Sequence, residues 1–383
     1  MNLNPAGWAS RTLAPLLRIV RSSPNATVPV VAISEPVNSE TVGLVDSDIV
    51  LVAKGAGATL AQVPDATSVG GNKRGLWATD WQKTRTVATQ VASGNRSVLG
   101  GGTGNTVSGP QSVLGGGVSN TASGSQAVVV GGETNTASTN YSFIGGGQNN
   151  LAQTNTHSTV CGGSGNTGNG LYGFIGGGAS HTISGSTATV CGGNTNIATS
   201  VGSTVCGGRQ NTANGDHSFV GGGRRGTARS IAGYQVFPAC DVPIADALGI
   251  SQSALLLLGR QTTDATATVL TSNTSAAGTT NQVILPNNSA YSFSGEVIAG
   301  VTGGGNAARW TINGAIKRGA NAASTTMVGT ATVTMSHFDV GAAAWVVAVT
   351  ADTTNGGIAV TVTGAASTTI RWVCKINTTE MTY

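Results

Sequence analysis

Charge is scarce in this chain: Asp, Glu, Lys and Arg make up only 9% of its 383 residues, and the net balance is +4. A nucleic-acid surface needs dense basic clusters, and so diffuse an excess excludes it. The densest cluster, Arg224, Arg225 and Arg229, closes a repeat and reads as a cap for its last turn, with contact to acidic glycans as a second use. Cysteine is also scarce, with five residues and no CxxC spacing. That excludes the disulfide framework of a small secreted domain. Long hydrophobic runs are missing too. The longest, residues 342–349, is far too short to span a bilayer as a helix. The apolar stretch at residues 13–20 is interrupted by Arg18 and does not make a secretion signal. Membrane insertion is therefore not expected.

What the chain does have is glycine, 58 residues of it, and much of it is periodic. Between residues 93 and 229 an apolar pair followed by Gly-Gly returns nine times, every 14 to 17 residues. Self-similarity of this period marks a solenoid. The first glycines of the pairs are Gly100, Gly115, Gly131, Gly145, Gly162, Gly176, Gly192, Gly207 and Gly221. Aligned on them, one apolar column holds Val98, Val113, Val129, Phe143, Val160, Phe174, Val190, Val205 and Phe219. The next holds Leu99, Leu114, Val130, Ile144, Cys161, Ile175, Cys191, Cys206 and Val220. An Asn follows at 105, 120, 135, 150, 166, 196 and 211, replaced by His181 and Gly226, and then a small or aliphatic residue such as Val107, Ala122 or Ile183. Short β-branched pairs bounded by Gly, Asn and Ser predict two-residue strands joined by tight corners, one coil per repeat.

Neighbouring strand residues point to opposite faces, so the two apolar columns cannot both line a narrow coil. One must be covered from outside, because an exposed stripe of this length exceeds the apolar patch a monomer usually shows. Identical stripes on neighbouring chains would cover it, which predicts a homotrimer; the alternative is a flattened single-chain solenoid with a wide interior. At the inter-strand spacing of about 4.8 Å the nine coils make a rod about 40 Å long. Cys161, Cys191 and Cys206 share a column with Leu, Ile and Val and read as small hydrophobes in the core. Inter-chain disulfides are the alternative, disfavoured by assembly in a reducing cytoplasm.

The motif SVLGGGxxNTASG, present with one change at residues 97–109 and again at 112–124, resembles the head repeats of trimeric autotransporter adhesins, which are left-handed parallel β-rolls. Together with the stretch VAKGAGATLAQVPDATSVGGNKRGLWATDWQ at residues 52–82, the repeat is also similar to bacteriophage tail fibre proteins. Residues 293–299, 309–318, 345–352 and 369–373 resemble the terminal β-sandwich of such fibres. The resemblance implies a virion tail protein assembled in the host cytoplasm. Its N-terminus would meet a baseplate or tail protein, and its C-terminus a host surface receptor, glycans included. The alternatives are a polysaccharide-depolymerising tailspike and a secreted bacterial adhesin.

The expected fold is thus all-β: a trimeric parallel β-roll of about 15-residue repeats followed by an antiparallel β-sandwich. Residues 1–45 form an attachment segment, 46–92 a β collar with a strand-like run at 49–53 followed by Trp77 and Trp81, 93–229 the roll, 230–252 a linker and 253–383 the sandwich. In the last segment Ile358, Val360 and Val362 alternate with Ala359, Thr361 and Thr363, and Ile370, Trp372, Cys374 and Ile376 with Arg371, Val373 and Lys375. Such alternation predicts strands with one buried face. Asn313-Gly314 signals a type I′ hairpin turn, and residues 353–357 a longer hairpin loop. Receptor contact is expected on loops of this unit.

No catalytic, cofactor-binding or metal-ligating residue is assigned. The glycines of residues 100–109 lack the GK[ST] ending of a phosphate loop and recur as coil corners. His157, His181 and His217 lack regular ligand spacing and read as surface or turn residues. Glycoside hydrolysis needs two acids flanking one bond, whereas Glu133 and Asp216 lie far apart in coil number and Glu296, Asp339 and Asp352 show no pairing. Tyr291, Trp310 and Trp345 could stack on sugars, but their place in alternating strands favours the core.

Overall fold

A computed structural model describes residues 17–21, 29–33, 57–241 and 243–383. Leu17–Arg21 and Pro29–Ile33 pair as an antiparallel hairpin. The rest of the expected attachment segment, and the strand-like run at 49–53, lie outside the described residues.

The repeat is a parallel β-solenoid. One stack of two-residue strands runs through Val98–Leu99, Val113–Leu114, Val128–Val129 and Phe143–Ile144 to Phe219–Val220. A second runs from Thr106–Val107 to Thr212–Ala213, and single bridges, Thr103 to Val118 and onward to Arg224, make a third side. Each strand residue pairs in register with its equivalent 15 or 16 positions away. The first stack also takes in Thr59–Leu60 and Thr79–Asp80 at one end and Gln235–Pro238 at the other.

The core column is Leu99, Leu114, Val129, Ile144, Val160, Ile175, Val190, Val205 and Val220, all fully buried. Facing it stand Val107, Ala122, Ala137, Ala152, Ile183, Ala198 and Ala213, equally buried. The interior is therefore narrow, not the wide cavity of a flattened coil. The columns expected from the first Gly of each pair are out of register in four coils. Those coils have two glycines where the others have three, so the repeat aligns on the last glycine: Gly102, Gly117, Gly132, Gly147, Gly163, Gly178, Gly193, Gly208 and Gly223, all at positive φ. A Cβ at Gly117 would lie 2.1 Å from the Gly132 carbonyl oxygen of the next coil. The last glycine is the obligatory one, and the first is replaced by Val130, Cys161, Cys191 and Cys206. A slip of one residue turns a strand's side chains over. Val129, Val160, Val190 and Val205 are thus core, and the three cysteines are exposed instead of buried.

The Asn column is not a positive-φ turn position. The residue before it is, as at Ser119, Thr134 and Asn149. The asparagines are fully buried and form a ladder along the solenoid. Asn150 shows the unit: its Nδ2 donates to the carbonyls of Gly146 and Gly163, both at 2.9 Å, and its Oδ1 accepts from the Asn166 N–H at 3.0 Å. The side chain thereby satisfies backbone groups on its own coil and the next, which a buried corner otherwise strands. Gln82 begins the ladder, accepting the Asn105 N–H at 2.8 Å, and the Gly226 N–H ends it on Asn211 at 2.8 Å.

His181 takes one rung. Its Nδ1 accepts the Asn196 N–H at 3.0 Å, as an Asn oxygen would, so the neutral ring carries its proton on Nε2, which is buried against Gly178 without a hydrogen-bond partner. Burial holds this imidazole below its ordinary value of 6.5. Protonation of Nδ1 would oppose the Asn196 N–H. The native state stays neutral where the unfolded chain takes up a proton, so stability contributed by this site is complete above pH about 6.5 and falls as the pH drops below it. His181→Asn is expected to remove that part of the loss: between pH 7.5 and 5, its urea midpoint should fall less than that of the parent.

Both solenoid ends are closed by buried charge. At one, Asp80 occupies the core position paired with Leu99, fully buried, with Arg74 Nε at 2.7 Å and Arg85 Nη2 at 3.3 Å. At the other, Glu380 is buried with Arg229 Nε at 3.3 Å, Gln252 Nε2 at 2.8 Å, Thr378 Oγ1 at 2.8 Å and the Tyr234 hydroxyl.

Beyond the solenoid the sheets are antiparallel. From the junction the main strands are β1 (Gln235–Pro238), β2 (Ser251–Thr262), β3 (Ser289–Val301), β4 (Ala307–Arg318), β5 (Thr332–Phe338), β6 (Val346–Asp352), β7 (Gly357–Thr363) and β8 (Ile370–Thr382). One sheet has the order β1-β2-β8-β3-β4-β5. In the other, β7 lies between β6 and the short strands Thr268–Val269 and Val283–Ile284. β1 continues the solenoid stack in parallel and starts the antiparallel sheet, so one hydrogen-bonded ribbon joins the two regions. No α-helix occurs among the described residues, and none of their helices is long and apolar enough to cross a membrane.

The predicted alternation holds in β8, where Ile370, Trp372, Cys374 and Ile376 are buried; in β7 Ile358, Val360 and Val362 are buried, but so is Ala359 on the other face. Residues 353–356 link β6 to β7, with Gly356 at positive φ and Asp352 Oδ1 accepting the N–H groups of Thr354 and Asn355 at 3.0 and 2.9 Å. The hairpin expected at Asn313-Gly314 is not there. β4 runs straight through both residues, pairing Asn313 with Ser294 and Gly314 with Phe293. A Cβ at Gly314 would come within 2.7 Å of the Phe293 ring, so this glycine makes room for a neighbour rather than a turn.

Candidate functional site

Among the carboxylates, Glu296 binds Arg309 at 2.7 Å, Asp339 accepts the Ala307 N–H at 2.8 Å, and Glu133 accepts from Gln148 at 3.1 Å. Arg309, with Lys375 beside it, holds the Glu296 carboxyl below the usual range. Among the described residues no group of three His, Cys, Asp or Glu converges as metal ligands. The basic cluster is engaged internally: Arg224 pairs with Asp241 and Asp246 at 2.9 and 2.8 Å, Arg225 with Asp246 at 2.7 Å, and Arg229 with Glu380. The three cap the end of the repeat, and their charge is directed to this chain's own acids.

Tyr291, Trp310 and Trp345 are buried, as their alternation implied, and Trp372 packs against both tryptophans at 5.6 and 5.7 Å between ring centres. Phe338 and Tyr383 are exposed on the antiparallel region, and the other exposed aromatics lie on the solenoid or at its junction. One corner column holds left-handed residues in successive coils, including Trp77, Arg96, Tyr141, His157 and Tyr172. His157 is stacked between Tyr141 at 4.6 Å and Tyr172 at 4.8 Å, and Arg96 lies over Trp77 at 4.8 Å. The sequence signal for this ridge, planar side chains three positions before the core residue, was obscured by the register slip.

Two further surfaces are built by the strands. The outward positions of the first stack, Val98, Val113, Val128, Phe143, Phe174 and Phe219, form an apolar stripe interrupted by Thr159, Thr189 and Thr204. Val98, Val113 and Phe174 remain more than a third exposed. The stripe passes through Phe219 to Phe237 on β1, 6.1 Å between ring centres. There it reaches the outer face of the first antiparallel sheet, which carries a concavity of about 280 Å3 lined by Phe237, Ser253, Ser292, Ser294, Asn377 and Thr379, among others. Further along the same face Leu257, Val373 and Ile298 are about half exposed. The stripe and the concavity offer apolar contact and neutral hydrogen-bonding groups, while Lys375, Glu296 and Arg309 place charge beside Leu257, Val373 and Ile298.

No family model matches the chain, and no curated protein matches it significantly.

Proposed function

We propose that this chain is a structural fibre of a bacteriophage tail, in which three copies align in register along the outward stripe. The solenoid serves as a β-roll stalk. The two antiparallel sheets form a β-sandwich at one end that meets a host surface receptor, and residues 1–45 attach to a baseplate or tail protein of the virion. The observation that carries this reading is the stripe itself. A row repeated at one coil spacing, apolar in six of nine coils and threonine in the other three, on a chain with only 9% charged residues, can meet its own copy in register along its length. The likeness of the repeat and of the C-terminal strands to phage fibres supplies the biological setting.

The test is native mass by light scattering of the full chain. The expected value is three times the 37.8 kDa of one chain. Phe143→Lys combined with Phe174→Lys places charge on the stripe and should yield monomers with an unchanged circular dichroism spectrum. A parent protein that is monomeric at micromolar concentration overturns the stalk reading.

A further inference from the structure

Cys191 and Cys206 stand at one position of adjacent coils, each directly after a core valine. The Cys191 N–H donates to the Val205 carbonyl and the Cys206 N–H to the Val220 carbonyl, both at 3.0 Å, so the two residues are stacked in register. Parallel strands at this pairing lie about 4.8 Å apart, inside the roughly 4.4–6.8 Å between Cα atoms that a disulfide requires and a few tenths of an ångström beyond its usual Cβ spacing, so closure draws the two coils slightly together. Both cysteines are exposed, and both are free thiols. The Cys206 thiol is partly desolvated and lies beside Cys191, which pushes it above its ordinary value. The other cysteines serve as internal controls. Cys161 is two coils from Cys191 with Gly176 between them, about 10 Å by the same spacing and out of reach. Cys240 is exposed outside the column, and Cys374 is buried, its thiol pushed up to about 12 by desolvation.

We propose that Cys191 and Cys206 are a redox staple, a dithiol that small-molecule disulfides such as oxidised glutathione convert to a cross-coil disulfide within one chain. One protein thiolate attacks the glutathione disulfide, forming a mixed disulfide and releasing one glutathione thiolate. The second protein thiolate then displaces the other glutathione. Two protein thiols are oxidised, one glutathione disulfide is reduced, and the two thiol protons end on the two glutathione molecules. The product ties successive coils together on the face that carries the apolar stripe, and it is reversed by excess reduced glutathione. The exchange rests on the two thiols being open to solvent in the single chain, before any neighbouring copy covers the stripe.

The experiment incubates the reduced full chain with oxidised glutathione, blocks remaining thiols, proteolyses without reduction and weighs the fragments. The expected product links Cys191 to Cys206 with the loss of two hydrogens, while Cys161 and Cys240 carry glutathione. Cys206→Ser should leave Cys191 as a stable mixed disulfide, and Cys191→Ser the reverse. Three results would each overturn the proposal: glutathione on both residues of the same chain, covalent dimers through Cys191 on a non-reducing gel, or an unmodified pair under conditions that modify Cys240.

Discussion

Replacing Asp80 by Ala is expected to cost about 3–5 kcal/mol, the usual consequence of removing one member of a buried ion cluster. Asp80 is fully buried and holds Arg74 and Arg85 at 2.7 and 3.3 Å. Its removal leaves two guanidinium groups in the interior, although Arg74 also donates to the Gly70 and Asn72 carbonyls at 2.5 and 2.9 Å. The loss should be local at first, because each coil of a solenoid contacts only its neighbours. Hydrogen exchange would show protection vanishing in the strands Thr59–Leu60 and Thr79–Asp80 while Phe143–Ile144 and later strands keep theirs. A triple variant, Asp80→Leu with Arg74→Met and Arg85→Met, should recover most of the stability, since no charge is then buried. Unchanged protection in Asp80→Ala would mean that Asp80 does not close this end of the solenoid.

The second large effect is expected in the middle of the ladder. Asn150→Leu keeps the branched side-chain skeleton, with bulkier methyl ends, but removes two donors and one acceptor, from bonds of 2.9, 2.9 and 3.0 Å. The Gly146 carbonyl and the Asn166 N–H lose their partner, while the Gly163 carbonyl keeps the Gln148 N–H at 2.9 Å. At about 1–3 kcal/mol per stranded group, with partial relaxation towards water, the loss should be about 4 kcal/mol. Gln148→Ala in the same coil, an exposed residue with a 3.1 Å bond to Glu133, should change stability by less than about 0.5 kcal/mol. Urea titration of the three proteins checks the contrast. A midpoint for Asn150→Leu equal to that of Gln148→Ala would show that the ladder contributes nothing.

Much of this molecule was legible in its amino acids. The period of the glycines determined a coil of about 15 residues, the paired β-branched residues its two-residue strands, and the alternation in residues 358–363 and 370–376 the buried faces of β7 and β8. These are local properties: chain stiffness, positive φ and the two-residue period of a strand act over a few positions and leave their mark there. What the tertiary structure alone decided involves partners far away in sequence. Which glycine anchors the register depends on the next coil's carbonyl, 2.1 Å from a Cβ that Gly117 does not have. That choice moved Cys161, Cys191 and Cys206 from the core to the surface. The Asn column looked like a turn because Asn tolerates turns; its burial became visible only when successive coils supplied its bonding partners. Asn313-Gly314 read as a hairpin because the pair suits a type I′ turn. Pairing with Phe293 on β3 and the space its ring takes overrode that local preference.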